Sequence, residues 1–446
     1  MFIDGLALAE GFASGASNPE LALEDALACA RQVPAAFIGL TETRARREAA
    51  AASARWAAGQ PLSPLDGVPI AWKDLFDLAG TVTTAGAAVR AGMAPARADA
   101  SLVNLLSRAG LVNLGKTNLS ELAYSGLGLN PHFGTPVNPL YGEPARVPGG
   151  SSSGSAIAVA AGVVPLAMGT DTAGSIRIPA ALNGLVGYRS SRRRYAATGV
   201  FPLARSLDAL GPLAHSVRDV LCVDTLLGGH VPPRAPALQG LRLRLDPHVL
   251  GDSRIQPAVR DNLLAAVQRL ARAGAVIEER PVEAFNAALN VIETRGWLGS
   301  AEAFAFHQPL LDSPAAAQLD PRVRKRLEKA RHFPASEQIA LYQAARDLRR
   351  HIADELDGAL LITPTVGHVA PLLAPLEADE ELFVQTNLAT LRLTMPGSLL
   401  DMPGVALPSG TDADGLATSL LLSAPSGQDA LLLRAALAVE PIARGA

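Results

Sequence analysis

The sequence has few cysteines and aromatic residues and almost no net charge, and these shortages exclude several classes of protein. Two cysteines, Cys29 and Cys222, are too few for a disulfide framework and are not spaced as metal ligands, so we expect two buried thiols. The eight histidines form no His-x-x-His or His-Glu-x-x-His pair, so we expect no metal site. With 39 basic and 42 acidic residues, the chain has no overall field that would attract nucleic acid or an anionic membrane.

The chain also lacks a long hydrophobic run. Its most apolar stretch, residues 156–168, contains Gly162 and Pro165 and is too short to span a bilayer. The first residues have neither the basic region nor the apolar stretch of a signal peptide. We therefore expect a cytoplasmic protein that binds no membrane. Two short basic runs, at residues 192–194 and 322–326, are interpreted as solvated faces.

Aliphatic and small residues dominate what is present, because 49% of the residues are hydrophobic and only 4% are aromatic. Such a chain buries a large core and is not disordered. The pattern predicts helices over 18–33, 41–58, 99–109, 153–162, 216–227, 257–273 and much of 284–356. It predicts strands near 68–73, 111–115, 163–168, 241–245, 275–280 and 359–364. This alternation indicates an α/β fold over residues 1–446, a single domain with a mixed central sheet covered by helices on both faces.

Three segments stand out as candidates for chemistry: residues 67–74, 148–156 and 169–180. Taken singly, they are a lysine at the end of an apolar strand, a Gly/Ser-rich loop and a Gly-Ser turn. The Gly/Ser-rich loop precedes a predicted helix, as in sites that bind phosphate. However, no Gly-Lys-[Ser/Thr] follows it, so a nucleotide site is not predicted.

Together the three segments resemble the amidase signature family of serine hydrolases. The resemblance extends over almost the whole chain and includes residues 115–121, 206–214, 361–365 and 402–410. It implies the amidase signature fold and a Ser–cis-Ser–Lys catalytic set. By position Ser175 matches the nucleophile, Ser151, which lies 24 residues earlier, matches the bridging serine, and Lys73 matches the lysine. The resemblance also implies a cis peptide between Gly150 and Ser151.

The chemistry of this set requires an unusual lysine. A serine hydroxyl is a poor nucleophile until a base removes its proton, and none of the three segments contains a histidine. A lysine can act as this base only when it is neutral, which requires burial that lowers its pKa to about 7–8. The apolar residues 70–72 before Lys73 fit such a buried position.

The resemblance further implies an oxyanion hole and residues that support it. The oxyanion hole would use the backbone N–H groups of Thr172, Ala173, Gly174 and Ser175. The supporting residues would be Asp171 and Arg177, which tie the loop together, and Ser152 and Thr172, which hold the lysine and the serine by hydrogen bonds. Asp208 is expected as a structural partner, and Glu121 as an anchor in a loop or on a helix surface rather than a second base. Ala173 and Ser153 replace glycines usual in the family, a departure shared with the amidase domains of allophanate hydrolases.

The same resemblance divides the domain into N-terminal helices at 1–60, a catalytic core at 61–230 and a variable helical region at 284–356 that shapes the substrate pocket. The aromatic side chains of Trp297, Phe304, Phe306 and His307 either line this pocket or form a buried cluster, and the second interpretation is preferred.

The expected function is hydrolysis of a small carboxamide to a carboxylate and ammonia or an amine through a seryl acyl-enzyme, without a cofactor. The expected partner is the small-molecule amide, with a homodimer as the default assembly. Three alternatives stay open: the amidase subunit of a glutamine-dependent tRNA amidotransferase, a hydrolase of allophanate or another urea-type amide, and an inactive scaffold. The sequence of residues 189–193 departs from the Lys-Pro-Thr-containing stretch usual in the amidotransferase subunit.

Overall fold

The computed structural model describes residues 4–228 and 238–445, and within them eleven strands join in a single mixed sheet. In chain order, β1 to β11 span Phe37–Leu40, Pro69–Lys73, Val112–Thr117, Leu166–Asp171, Val186–Arg189, Ala209–Ala214, Arg242–Leu245, Val276–Glu279, Leu360–Pro364, Gly404–Thr411 and Ala417–Ser423. The strand order across the sheet is β1-β3-β2-β4-β6-β5-β10-β11-β9-β7-β8.

The sheet has a parallel group near each end and an antiparallel centre. At one end β2 runs parallel to both β3 and β4, and at the other end β7 runs parallel to both β8 and β9. The strands from β4 through β6, β5, β10 and β11 to β9 are antiparallel neighbours. Parallel neighbours end at the same edge of a sheet, and the pairing of Trp72 with Met168 places Lys73, the last residue of β2, beside the last residues of β4.

Seventeen α-helices accompany the sheet in the described part of the chain. In chain order, α1 to α17 span Gly5–Ser14, Pro19–Gln32, Glu42–Ala57, Ser101–Arg108, Ser153–Ala160, Arg177–Leu182, Val217–Gly228, Pro247–Leu250, Pro257–Arg272, Glu283–Arg295, Gly299–Leu311, Pro321–Glu328, Ala335–Leu356, Leu373–Ala378, Glu380–Leu391, Met395–Leu399 and Asp429–Arg444. Asn18 caps α2 by accepting a hydrogen bond from Leu21 N, as its position before Pro19 predicts.

Helices cover both faces of the sheet. Side chains along a strand point alternately to its two faces, so successive residues of β2 pack against different helices. Ile70 and Trp72 of β2 belong to a hydrophobic cluster that includes residues of α4, α7, α9 and α17. Ala71, between them, belongs to a second cluster with residues of α2, α3 and α5. The predicted fold class, a large α/β domain with a mixed central sheet between helices, is therefore confirmed.

Three local predictions need correction. The strand predicted at 163–168 is β4 at 166–171, because its last three residues are buried and continue the pairing with β6. The helix predicted at 99–109 is α4 at 101–108, and Asp99 lies before it, where its side chain accepts hydrogen bonds from Arg44 at 2.7 and 2.8 Å. Cys29 and Cys222 are half-buried rather than buried. Among the described residues, no helix combines the length and the apolar character needed to cross a bilayer.

Candidate active site

The predicted lysine base ends strand β2, and its amine is completely buried. Lys73 Nζ donates a hydrogen bond to Ser151 Oγ at 2.7 Å and another to Thr170 Oγ1 at 2.8 Å. Thr170 is the penultimate residue of β4, which is the parallel neighbour of β2. The sheet therefore brings the lysine to a group of neutral oxygen atoms.

A second buried lysine nearby has a carboxylate partner, which Lys73 lacks. Lys116 Nζ lies 2.6 Å from Asp74 Oδ1, whereas within residues 4–228 and 238–445 no carboxylate forms an ion pair with Lys73. Burial lowers the pKa of both lysines, and the charge of Asp74 offsets part of this effect for Lys116. The pKa of Lys73 falls to about 7, although the more distant charges of Asp171 and Asp208 act in the opposite direction.

Ser151 follows a cis peptide bond from Gly150 and lies just before helix α5. Its carbonyl oxygen accepts a hydrogen bond from Ser120 N at 3.1 Å. The backbone is closely packed here, because a Cβ atom added to Gly150 would lie 2.6 Å from Gly128 N. Glycine at position 150 therefore lets the chain approach the loop that contains Gly128.

The loop that carries Ser175 is organised around the buried carboxylate of Asp171. Asp171 Oδ1 accepts hydrogen bonds from Gly174 N and Arg177 Nη2, both at 2.9 Å, and Oδ2 accepts one from Arg177 Nε at 3.0 Å. Burial alone would raise the pKa of Asp171, but the hydrogen bonds and charge of Arg177 and the charge of Arg189 hold it well below its ordinary value. The ionised carboxylate thus joins the end of β4 to the start of α6.

Gly174 and Ala173 fit this loop for different reasons. Gly174 has a φ of 136°, and a Cβ atom there would lie 2.2 Å from Thr394 Oγ1, so no other residue fits. Ala173 has no such constraint, because its φ is not positive. Its methyl group replaces the usual glycine without backbone strain, and its carbonyl oxygen accepts a hydrogen bond from Thr394 Oγ1 at 2.6 Å.

The predicted catalytic residues are brought together in part. Ser152 N donates a hydrogen bond to Ser175 O at 3.2 Å, which joins the two serine loops. In the described part of the chain, Ser175 Oγ makes no hydrogen bond, either to Ser151 Oγ or to another group. The prediction that Thr172 holds the lysine or the serine is wrong, because Thr172 Oγ1 instead donates to Asp208 Oδ1 at 2.6 Å.

The nucleophile candidate faces a cavity of about 820 Å³. Ser175, Thr172 and Ala173 form part of its wall. One further wall comes from the helical region predicted to shape the pocket, including Leu289, Ile292, Glu293, Trp297, Ser300, Arg322, Lys325, Arg326, Lys329 and Phe333. Another wall, which no sequence pattern indicated, comes from α15 and the residues after it, including Glu380, Val384, Asn387, Leu388, Arg392 and Met395. The cavity is large enough for a small organic substrate.

A family model described as Amidase matches residues 22–433, which is most of the chain. The chain belongs to the amidase family. The family includes hydrolases that act on C–N amide bonds, and this protein is an amide hydrolase of that family.

Individual relatives agree with this placement but differ in activity. The chain is 34% identical over 409 residues to 2-amino-5-chloromuconic acid deaminase from Comamonas testosteroni, with 90% of this chain and 86% of the relative covered. It is 32% identical over 447 residues to a glutamyl-tRNA(Gln) amidotransferase subunit from Salinispora arenicola (strain CNS-205), with 91% and 89% covered. A solved amidase structure superposes with a TM-score of 0.88 at 32% identity, with 98% of this chain and 99% of that chain covered.

The four aromatic side chains that the sequence places either in the pocket wall or in a buried cluster do not share one environment in this amidase-family protein. Trp297 lines the cavity. Phe306 and His307 pack instead against Phe201, with ring centroids 5.2 and 5.8 Å apart, and Phe304 is buried under the guanidinium of Arg331. The preferred interpretation, a buried cluster, therefore describes only part of the group.

The two basic runs are not simple solvated faces. In the second run, Arg322, Lys325 and Arg326 line the same cavity as Ser175. In the first run, Arg194 Nε lies 2.6 Å from Asp224 Oδ1. The solvated-face interpretation is wrong because it considers charge density alone, whereas these side chains find partners or a cavity in the fold.

Glu121 is a loop anchor and is completely buried. Its Oε2 accepts a hydrogen bond from Asp320 N at 2.7 Å, which ties the start of α12 to the loop beside Ser120. Its Oε1 lies 2.9 Å from His132 Nε2. Burial raises the pKa of Glu121 to about 8, so the carboxyl group is mainly protonated at neutral pH.

Proposed function

We propose that this protein hydrolyses a small carboxamide through a covalent ester at Ser175. The Ser175 oxygen attacks the amide carbonyl carbon, and the C–N bond breaks when the leaving nitrogen takes up a proton. Water then hydrolyses the ester, which releases the carboxylate and restores the serine hydroxyl. Ammonia or an amine is the other product.

The observation that carries this proposal is the buried Lys73 amine, hydrogen-bonded to Ser151 Oγ at 2.7 Å and unpaired with any carboxylate in the described residues. A neutral amine in this position accepts a proton from Ser151, which in turn accepts one from Ser175. The same two groups return a proton to the leaving nitrogen. A lysine with a pKa of about 7 suits both directions of transfer at neutral pH.

The negative oxygen of the tetrahedral intermediate needs hydrogen-bond donors that are already in place. Of the four backbone N–H groups predicted for this role, that of Gly174 donates to Asp171. The N–H groups of Thr172, Ala173 and Ser175 have no partner within the described residues. We therefore assign the oxyanion hole mainly to these three groups, and we assign Gly174 the role of setting the curvature of the loop.

The relay requires that the hydroxyl groups of Ser151 and Ser175 meet. Serine hydroxyls rotate freely, and catalytic hydrogen bonds often shorten only when substrate is bound. We propose that an amide seated between the oxyanion donors and Ser175 orients this hydroxyl towards Ser151.

The test is ammonia release over a panel of aliphatic and aromatic amides, glutamine, malonamate and allophanate. Ser175→Ala should lose nearly all release from the best substrate, and a fluorophosphonate should label the wild-type protein but not this variant. Ser336→Ala, on the exposed surface of α13, is the matched control. Unchanged release by Ser175→Ala would refute the assignment of the nucleophile, and a protein that neither labels nor hydrolyses any amide would be an inactive scaffold.

A second candidate, one component of an amidotransferase, is favoured by the similarity to the glutamyl-tRNA(Gln) amidotransferase subunit over 91% of this chain. In that case Ser175-dependent release would occur with glutamine alone, and the protein would purify with a second subunit. Release from a urea-type amide such as allophanate would favour the alternative that the protein is a hydrolase of allophanate or another urea-type amide. Release from a wider range of amides by the isolated chain would exclude the amidotransferase assignment.

A further inference from the structure

Helix α12 presents a row of cations to the cavity that contains Ser175. Arg322, Lys325, Arg326 and Lys329 are spaced by three, one and three residues, so they lie on one face of the helix and its C-terminal end. All four line the cavity. Arg324, on the same helix, does not, and it offers a comparison within the same local sequence.

Two cavity arginines outside this row are fully balanced by carboxylates. Arg254 and Arg392 both pair with Asp252, at 2.9 and 2.5 Å, and both pair with Glu293, at 3.3 and 3.1 Å. This cluster contains two positive and two negative charges. It stabilises the wall without leaving a charge for a ligand.

Two members of the α12 row are also balanced. Arg322 Nη2 lies 2.8 Å from Asp320 Oδ2, and Lys325 Nζ lies 2.6 Å from Glu380 Oε1. Arg326 and Lys329 form no ion pair with any carboxylate in residues 4–228 and 238–445. Arg326 and Lys329 are therefore two cations in the cavity wall for which the described residues supply no counterion.

Arg326 is held in a fixed position that leaves most of its donors free. Its guanidinium lies 4.6 Å from the ring centroid of Tyr124, and its Nη1 donates a hydrogen bond to Tyr124 O. A guanidinium has five N–H donors, so one bond to a carbonyl leaves several for a ligand. Arg326 is half-buried, and this burial lowers its pKa because no counterion offsets the partial loss of water. A bound anion would offset that cost.

The position of Arg326 is coupled to the site of chemistry. Tyr124 belongs to the same loop as Ser125, whose hydroxyl donates to Asn387 Oδ1 at 3.1 Å. Asn387 Oδ1 also accepts from Gly126 N at 2.8 Å, and Gly126 O accepts from Gly150 N at 2.8 Å. This series of hydrogen bonds connects the loop that packs against the Arg326 guanidinium to Gly150, the residue before Ser151.

We propose that the substrate is an amide that also carries a carboxylate, and that Arg326 and Lys329 bind this carboxylate while Ser175 attacks the amide. This inference rests on the proposed hydrolysis at Ser175 and specifies its substrate class. A planar guanidinium binds a carboxylate through two parallel hydrogen bonds, and the adjacent ammonium adds a second positive charge.

The experiment compares matched amides that differ only in this charge: malonamate with malonamide, succinamate with succinamide, and glutaramate with glutaramide. We expect the wild-type protein to prefer the acidic member of at least one pair by about 10- to 100-fold in kcat/KM. The preferred chain length then reports the separation between Ser175 and Arg326. The preference should decrease as salt is added.

Arg326→Gln should raise KM for the preferred acidic amide by about 10- to 100-fold with little change in kcat, and should leave the neutral amide within about threefold. The matched control, Arg324→Gln, removes the same charge from the same helix and should behave as wild type with both members. If Arg326→Gln folds poorly, Lys329→Met replaces an exposed side chain and should raise KM for the acidic amide alone. Equal effects of Arg326→Gln on acidic and neutral amides would overturn the inference.

A binding measurement separates failure of this inference from failure of the proposed hydrolysis. Malonate, succinate and glutarate are tested for stabilisation of Ser175→Ala, with the corresponding diamides as neutral probes. Stabilisation by a dicarboxylate that is lost in Ser175→Ala/Arg326→Gln supports the anion site even if none of the amides is hydrolysed. Absence of an anion preference in every pair, in hydrolysis and in binding, overturns the inference and leaves the role of Ser175 intact.

Discussion

Replacement of Lys73 by methionine tests the proposed mechanism directly, because methionine has a similar length but no basic nitrogen. The lysine is completely buried and unpaired with any carboxylate among the described residues. A buried thioether fits an apolar interior better than an amine does. We therefore expect Lys73→Met to fold, and to lose at least about 10³-fold in kcat/KM through loss of the general base.

The fraction of Lys73 that is neutral, and can therefore act as a base, follows from its pKa, which burial lowers to about 7. About half of the molecules then hold a neutral amine at pH 7, compared with about one in 3,000 for a lysine with an ordinary pKa. Between pH 5 and pH 7 the neutral fraction rises about 50-fold, and above pH 8 it is nearly constant. The rate should follow the neutral fraction.

The assay is kcat/KM for ammonia release between pH 5 and pH 9, with unfolding by urea measured over the same range. The rate should rise about tenfold per pH unit at low pH and level off near pH 7. Because the folded pKa of Lys73 lies below its unfolded value, stability should also rise between about pH 7 and pH 9, by up to about 1.4 kcal/mol per unit, and Lys73→Met should lack this rise. A rate that is independent of pH, or Lys73→Met with more than a tenth of wild-type activity, would refute the reasoning.

Two further predictions concern the supporting carboxyl groups. Asp171→Asn leaves the buried guanidinium of Arg177 without its counterion, so we expect a loss of about 3–5 kcal/mol in urea unfolding. Asp347→Asn, which removes an exposed carboxylate, should cost almost nothing. Glu121→Gln should be tolerated at pH 7, because the wild-type carboxyl is mainly protonated there, whereas Glu121→Ala should lose about 1–3 kcal/mol with the hydrogen bond to Asp320 N. Since the folded pKa of Glu121 is raised, wild-type stability should fall relative to Glu121→Gln as pH rises from about 4.5 to about 8, and a constant difference would contradict this assignment.

The sequence was informative wherever a local pattern determines the structure. The apolar run before Lys73 predicted a buried strand, and the pattern around Asn18 and Pro19 predicted the start of α2. The family resemblance placed Ser151 and Ser175 in one catalytic set, and the segments that contain them are joined by the hydrogen bond from Ser152 N to Ser175 O. Each of these features depends on residues close in sequence or on a motif matched as a whole.

The sequence was less informative wherever a contact depends on residues far apart. Thr170 is a partner of the lysine because β4 is the parallel neighbour of β2, and no pattern near Thr170 marks this role. The wall formed by α15 lies more than 200 residues from Ser175 along the chain. The solvated-face interpretation of the basic run near Arg322 is wrong because a charge pattern alone does not indicate which face of the helix meets the cavity.

The distribution of carboxylates connects the two proposed roles. The composition is nearly balanced, with 39 basic and 42 acidic residues, so an average basic group can find a partner. In the fold, Asp74 pairs with Lys116 and not with Lys73, and Glu380 pairs with Lys325 and not with Arg326. A lysine without a counterion becomes neutral when buried and can act as a base, whereas an arginine in the same situation keeps its charge and needs an anion from elsewhere. In both proposals the decisive feature is therefore the same: the lack of a counterion suits Lys73 to act as a base and suits Arg326 to bind a substrate carboxylate.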